Sequence, residues 1–250
     1  AGLGNFLRCK LTKHHYTLFL GIVLSVSFAC LSYAGLLKLG EVFLHLSVQH
    51  EAVYICAMLF IIPGFPFITS GIDLAKLDMR SGIERLGYAM IIILVATMSA
   101  WIMALILHLQ PVDFLKISLP LSDWILFRLL ASFCGVFGFS IMFNSPVPLA
   151  VTAALIGAIA NTLRLELVDL INFPPAAAAF IGALTAGLLA SLIKNKAGYP
   201  RISVTVPSIV IMVPGLYLYR GFYNLGIMSL ATSATWFASA ILIILALPLG

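Results

Sequence analysis

The chain has 250 residues, of which 62% are hydrophobic and only 9% are charged, with a formal net charge of +5. Because a soluble domain carries roughly 25% charged residues, this composition and a mean hydropathy of +1.12 exclude an ordinary soluble protein. The Lys and Arg residues fall mostly in short clusters between apolar stretches of roughly 20 residues, so they indicate membrane orientation and do not suggest nucleic-acid binding.

The apolar stretches predict an all-α protein, a polytopic transmembrane helical bundle with about eight spans. Ahead of the first span, Ala1–Leu7 is apolar and runs directly into a basic cluster, which is typical of the last turns of a further helix. The spans in chain order are Tyr16–Leu37, Val53–Leu77, Leu86–Leu107, Leu121–Phe143, Leu149–Leu170, Pro174–Ile193, Ile202–Leu225 and Thr232–Leu249.

The distribution of Lys and Arg predicts the orientation of these spans. Nine of them fall on the side that holds the loops after the second and sixth spans, and five fall on the other side: Lys38, Lys116, Arg128, Arg164 and Arg220. The richer side is predicted to be cytoplasmic, in an inner or plasma membrane.

Two spans carry a Pro-Gly pair near the middle, Pro63-Gly64 in the second and Pro214-Gly215 in the seventh. A helix interior tolerates these residues least. A broken span frees polar backbone groups, which is unfavourable in hydrocarbon unless they line a cavity or meet a ligand. One such break in each half of the chain points to a transporter with internal repeats and a site near the midplane. The alternative is a tolerated kink in a packed helix.

The breaks also supply a register for the repeat. Five spans follow residue 120, with the break in the fourth, and three precede it, with the break in the second. If the halves are equivalent, the first repeat is two helices short, and an odd number of spans makes the repeats inverted. The predicted parts are residues 1–110, the C-terminal part of the first membrane repeat; 111–120, a connecting loop; and 121–250, the second repeat.

The half-helices at the breaks provide the predicted substrate-binding residues. A half-helix N-terminus offers unpaired N–H groups and a partial positive charge, which suit a substrate carboxylate. For the one cation in the set, Arg220, the alternative is an interfacial, snorkelling side chain. The predicted set is Pro63, Gly64, Thr69, Ser70, Ser208, Pro214, Gly215 and Arg220.

Asp73, at the cytoplasmic end of the first broken span, is the predicted proton-coupling residue. The alternative is a solvated carboxylate that pairs with Lys76 or Arg80. Asp78 and Arg85, in the following loop, are predicted to gate access.

Other classes of function receive less support. The chain has no His-Glu-x-x-His, Gly-x-Ser-x-Gly or Walker sequence, so we predict no enzyme, no cofactor and no metal site. Asn161 and Asn144 are predicted to make hydrogen bonds between helices.

The combined motifs resemble the membrane part of the threonine/serine exporter family, over nearly the whole chain. The resemblance implies ten spans in full-length members. It also implies export of small amino acids or small dicarboxylates such as succinate, driven by the proton motive force. The motifs are Pro63-Gly64, Asp73, Asp78, Gly82 and Arg85 in the first half, and Val206-Pro207, Val213-Pro214-Gly215 and Tyr219-Arg220-Gly221 in the second.

Residues and resemblance together predict a proton-coupled secondary transporter that exports a small carboxylate-bearing metabolite. The predicted partners are that small-molecule substrate, protons and the lipid bilayer, with a homo-oligomer left open. The alternatives are a passive channel for small metabolites and the membrane subunit of a larger transport complex.

Overall fold

The computed structural model describes residues 1–44, 51–108, 120–197 and 200–250, and within these ranges the chain forms helices and no strand. The predicted loop 111–120 lies outside them apart from Pro120, as does Lys116. The helices are α1 (Gly2–Lys13), α2 (Leu18–Leu44), α3 (Glu51–Met58, followed by a 3₁₀ turn Leu59–Ile61), α4 (Gly64–Ala75), α5 (Met79–Ile106), α6 (Leu121–Met142), α7 (Val147–Ile171), α8 (Pro175–Ala197), α9 (Arg201–Val210), α10 (Gly215–Gly226) and α11 (Leu230–Leu249).

The predicted count of about eight spans is confirmed. Six helices are long and apolar enough to cross a membrane by themselves: α2, α5, α6, α7, α8 and α11. Two pairs of helices pass the same test together and count as two further candidate spans. They are bent by 54° between Tyr54–Ile61 and Gly64–Ala75 and by 44° between Arg201–Val210 and Gly215–Gly226. Both bends coincide with the predicted Pro-Gly pairs. By contrast, Pro207 lies inside α9, which continues to Val210.

The chain divides into two compact units, and the division falls within both Pro-Gly pairs. Unit 1 contains Ala1–Pro63, Tyr88–Lys116 and Gly215–Phe237, and unit 2 contains Gly64–Gly87, Ile117–Pro214 and Ala238–Gly250. Each unit therefore combines segments from both predicted repeats, and the repeats themselves stay a prediction.

The core of unit 1 is built by α2, α3, α5 and α10. Ile22 and Val26 of α2 are buried with Met58 of α3 and with Ile92 and Ala96 of α5. These are residues from apolar stretches that also leave large side chains exposed, as lipid-facing helices do.

The core of unit 2 depends on small residues of α7 and α8. At Gly157 a Cβ would lie 2.7 Å from the carbonyl oxygen of Ser208, so α7 and α9 approach to backbone contact. On α8, Ala183 and Ala186 are fully buried, whereas Leu188 is 59% exposed. Small residues inside and large apolar residues outside are the arrangement expected for helices that pack within lipid.

Candidate functional site

The first break begins at a tightened helix end. After the 3₁₀ turn Leu59–Ile61, Ile62 is extended with ψ of 122°, and α4 starts at Gly64. The break follows from Pro63, which has no N–H to continue the helical hydrogen bonds. Pro63 and Gly64 are both buried. Pro66 lies in the first turn of α4, where a missing N–H is tolerated.

The second break has the same construction. The N–H groups of Met212 and Val213 donate to carbonyls three residues earlier, at 2.9 and 3.1 Å, which tightens the end of α9. Pro214 then interrupts the ladder, and α10 starts at Gly215. Both Pro214 and Gly215 are buried.

The two glycines at the breaks make equivalent close contacts in the two units. In unit 2, a Cβ on Gly64 would lie 3.2 Å from Val210 and 3.3 Å from Val213, at the end of α9. In unit 1, a Cβ on Gly215 would lie 2.5 Å from Ile62, just after the 3₁₀ turn. In each unit, the start of one broken span's second half therefore packs on the end of the other span's first half.

This packing brings helix ends of opposite polarity together within each unit. A helix N-terminus carries about half a positive charge and a C-terminus about half a negative charge. In unit 2 the end of α9 also meets a cation, because Arg164 Nη1 donates to the carbonyl oxygen of Met212 at 3.1 Å. Sequence reasoning used Arg164 only as an orientation marker. Its position within an apolar helix was the signal that could have identified it.

The predicted hydroxyl residues are buried and engaged with their own helices. Thr69 is 7% exposed, Ser70 1% and Ser208 0%. Their hydroxyl groups donate to carbonyls three or four residues earlier, at 3.0, 2.8 and 2.7 Å. In this conformation the oxygens can still accept a hydrogen bond, but the hydroxyl protons are in use. They suit a donor such as an ammonium group better than a carboxylate.

Arg220 is held by an aromatic side chain. Its guanidinium carbon lies 5.1 Å from the centre of the Trp236 ring, a cation–π contact. Tyr217 packs edge-on against the same ring, with centroids 5.4 Å apart. Part of the guanidinium's interaction capacity is therefore used within unit 1.

The predicted proton-coupling residue pairs with a predicted gating residue. Arg85 Nη1 lies 2.9 Å from Asp73 Oδ2, and the Asp73 side chain is only 21% exposed. This oxygen is enclosed and receives no hydrogen bond, so charge attraction alone holds the contact. Among the described ion pairs Asp73 therefore meets Arg85 and neither of its alternative partners, Lys76 and Arg80, and Arg80 pairs with Glu84 at 3.2 Å.

The turn between α4 and α5 brings this pair together. Leu77 adopts a left-handed φ of 64°, and the N–H of Asp78 donates back to the carbonyl of Asp73 at 3.0 Å. This bond pattern closes a helix end and reverses the chain. A Cβ on Gly82 would lie 2.7 Å from Leu74, so α5 passes close over the end of α4. Arg85 follows one turn later, within reach of Asp73.

Asp78 has a local structural role in this turn. Its Oδ1 accepts the N–H of Ser81 at 3.3 Å in the first turn of α5, which is the geometry of a helix N-cap. Asp78 is also exposed. It therefore differs from Arg85, which belongs to the ion pair, and its gating role stays a prediction.

A second ion cluster joins α6 to α7 in unit 2. Arg128 Nη1 donates to Glu166 Oε1 at 2.8 Å, and Nη2 donates to Asp169 Oδ2. The guanidinium also lies 5.0 Å from the centre of the Trp124 ring. Sequence reasoning did not propose this cluster. Charges of opposite sign within two consecutive apolar helices were the available signal.

A group of tyrosines packs together in unit 1. Tyr54 donates its O–H to the carbonyl of Ala100 at 2.5 Å. Its ring packs edge-on against Tyr33 and Tyr219, with centroids 5.7 and 6.4 Å apart.

Within the described ranges, no three His, Cys, Asp or Glu side chains are grouped so that they could hold a metal ion.

Comparison with known families assigns both halves of the chain. A family model described as "Putative threonine/serine exporter" matches residues 1–107, and one described as "Threonine/Serine exporter, ThrE" matches residues 128–250. The chain belongs to the threonine/serine exporter family. Comparison with curated proteins gave no match, and comparison with solved structures gave none either.

Membership in this exporter family makes the chain a multi-pass membrane protein and a transporter of a small molecule, as the broken spans predict. It points away from an enzyme.

Proposed function

We propose that this exporter is a proton-coupled secondary transporter of a small carboxylate-bearing metabolite, and that its substrate is a threonine/serine-type amino acid. Within unit 2, the start of α4 and the end of α9 at the Pro-Gly breaks form the substrate site, and Asp73 carries the proton. Family membership of both halves supports export. The observation that carries the mechanism is the Asp73–Arg85 ion pair at the end of a broken span.

The chemistry of the half-helix ends favours an amino acid over a dicarboxylate. In each unit a positive helix end packs beside a negative one, which matches the two charges of a zwitterion. The buried hydroxyl oxygens of Thr69, Ser70 and Ser208 are left as acceptors, which suits an ammonium group. A dicarboxylate has no ammonium group to donate to these acceptor oxygens, and Arg220, the cation predicted from the sequence, is stacked on Trp236.

The ion pair supplies a route for coupling to protons. Protonation of Asp73 removes its charge and with it the attraction to Arg85, the contact that ties α4 to the start of α5. The helix α11 packs against α4 near Asp73, with Pro248 against Gly71. Because α11 contains no charged residue, it offers no other ionic partner for Asp73 or Arg85. Proton uptake would thus loosen the end of the broken span, and proton release would re-form the contact. Alternating access would follow from rocking of one repeat against the other.

The test is counterflow and gradient-driven flux in proteoliposomes. The purified protein is reconstituted, loaded separately with labelled threonine, serine and succinate, and assayed with and without an imposed pH gradient. We expect counterflow exchange of threonine and serine, and accumulation when the gradient is imposed. Asp73→Asn should keep exchange and lose gradient-driven accumulation, because the carboxamide cannot carry the proton.

The matched control is Glu84→Gln, which neutralises a neighbouring carboxylate that is 68% exposed and pairs only with Arg80 among the contacts described. It should keep both activities. Gradient-driven export by Asp73→Asn at the wild-type rate would reject the proton-carrying role. Flux of all three compounds without counterflow or pH response would indicate a passive channel.

A further inference from the structure

The α7 helix carries three residues on one stripe, of which two meet the end of α9 or the turn after it. Gly157, Asn161 and Arg164 are spaced by four and three residues, so they lie on one stripe of the helix. The outer two contact α9 and the turn that follows it. Gly157 meets the carbonyl of Ser208 with no room for a side chain, and Arg164 donates to the carbonyl of Met212. Asn161 therefore lies between them, on the face that meets the second break.

Asn161 uses only half of its carboxamide. Its side chain is buried, with 6% of the residue exposed, and Nδ2 donates to Ser132 Oγ of α6 at 2.8 Å. Oδ1 is enclosed and has no hydrogen-bond partner. Reversing the amide does not remove the problem, since Ser132 would then donate to Oδ1 and Nδ2 would lose its acceptor. Either orientation leaves one buried polar group unsatisfied.

The neighbouring residue repeats this feature. Thr162 is 6% exposed, and its Oγ1 also has no hydrogen-bond partner. Unsatisfied buried polar groups are unfavourable in a membrane protein, where no bulk water is near. The helix-to-helix bond with Ser132 accounts for the predicted packing role of Asn161. It does not account for the unused acceptor.

We propose that Asn161 is a substrate-binding residue whose Oδ1 accepts a hydrogen bond from the ammonium group of a zwitterionic α-amino acid. The substrate carboxylate is drawn to the Arg164 guanidinium, three residues further along the same face. Three residues rise about 4.5 Å along a helix, a separation that an α-amino acid can span with one hydrogen bond at each end. A dicarboxylate, ionised at neutral pH, has no donor for Oδ1. This inference rests on the proposed transport function and adds a recognition residue to it.

The test is the selectivity of binding by the purified protein in detergent. Dissociation constants are measured for threonine and for 3-hydroxybutyrate, which keeps the carboxylate and hydroxyl of threonine and lacks the ammonium group. Asn161→Leu retains the side-chain volume and removes the acceptor. We expect the Kd for threonine to rise roughly 10- to 100-fold and the Kd for 3-hydroxybutyrate to change by less than about threefold.

The control variant is Ser140→Ala, which removes a fully buried hydroxyl of α6 that donates to its own helix at Val136. It should leave both dissociation constants unchanged. If Asn161→Leu does not fold, Asn161→Asp tests the same point, because it keeps an acceptor oxygen. Asn161→Asp should retain the preference for threonine.

Three results would overturn the proposal: an unchanged Kd for threonine in Asn161→Leu, an equal loss for both ligands, or loss of the threonine preference in Asn161→Asp. Threonine transport by the wild type together with any of them would reject only the role of Asn161. A wild-type protein that neither binds nor transports an amino acid would reject the proposed function, and this inference with it.

Discussion

The Arg128 cluster is expected to be a major stabilising contact between α6 and α7. The side chains of Arg128 and Glu166 are 17% and 16% exposed, and Asp169 is 51% exposed. Arg128→Met keeps most of the side-chain length and removes the cation that contacts both carboxylates. Two carboxylates would then face each other across one turn of α7 without a counter-charge.

The magnitude follows from the burial of each partner. Breaking a buried pair by removing one member costs roughly 3–5 kcal/mol, whereas an exposed pair contributes roughly 0–1 kcal/mol. The contact with Glu166 is partly buried and lies just below the first class, and the contact with Asp169 belongs to the second. We therefore expect Arg128→Met to lower the free energy of unfolding by about 3 kcal/mol. Adding Glu166→Gln should recover at least about 1 kcal/mol, because it removes the uncompensated charge.

The assay is equilibrium unfolding of the purified protein in mixed micelles, with the fraction of denaturing detergent as the variable. The matched control is Arg80→Met, since Arg80 and Glu84 are 90% and 68% exposed. It should cost less than about 0.5 kcal/mol. A loss for Arg128→Met near the roughly 0.6 kcal/mol average of hydrogen bonds inside membranes would refute the reasoning. Such a value would mean that water or lipid headgroups replace the guanidinium.

Three further outcomes can be checked by the same unfolding assay. Gly157→Ala should destabilise the protein by about 1–3 kcal/mol, because its Cβ would meet a backbone carbonyl of α9 at 2.7 Å. Gly138→Ala, with open space around it, should be neutral or stabilising by up to about 1 kcal/mol. Equal effects of the two substitutions would contradict the packing argument. Tyr54→Phe should cost about 0.5–1.5 kcal/mol through its lost 2.5 Å hydrogen bond, and no change in stability would mean that this bond is not formed. Asp78→Ala should cost about 1 kcal/mol as a lost helix cap, and a loss above about 3 kcal/mol would indicate a wider ion network.

Part of the candidate site was predictable from the sequence. The break at Pro63 and the start of α4 just after it follow from residues a few positions apart. The engagement of the Thr69 and Ser70 hydroxyls with their own helix was predictable too, because Ser and Thr inside helices commonly donate to the preceding turn. That rule would have reduced their expected role as donors to a carboxylate.

The ion pairs were much harder to predict. Asp73 has three candidate cations nearby in sequence, Lys76, Arg80 and Arg85, and helix spacing favours only Lys76, three residues away. The left-handed turn at Leu77 reverses the chain, and only then does Arg85 become the partner.

The apolar pattern of the sequence was enough to predict the class of this protein, its count of about eight spans and the location of both breaks. These properties depend on the length of apolar stretches and on the missing N–H of proline, which act within a few residues. The tertiary structure decided which charges meet and which polar groups stay unsatisfied. Arg128 and Glu166 are 38 residues apart in the chain, and Asn161 and Ser132 are 29 apart. Such contacts depend on which faces of separate helices pack together, and helices that are apolar on nearly all sides give little indication of those faces.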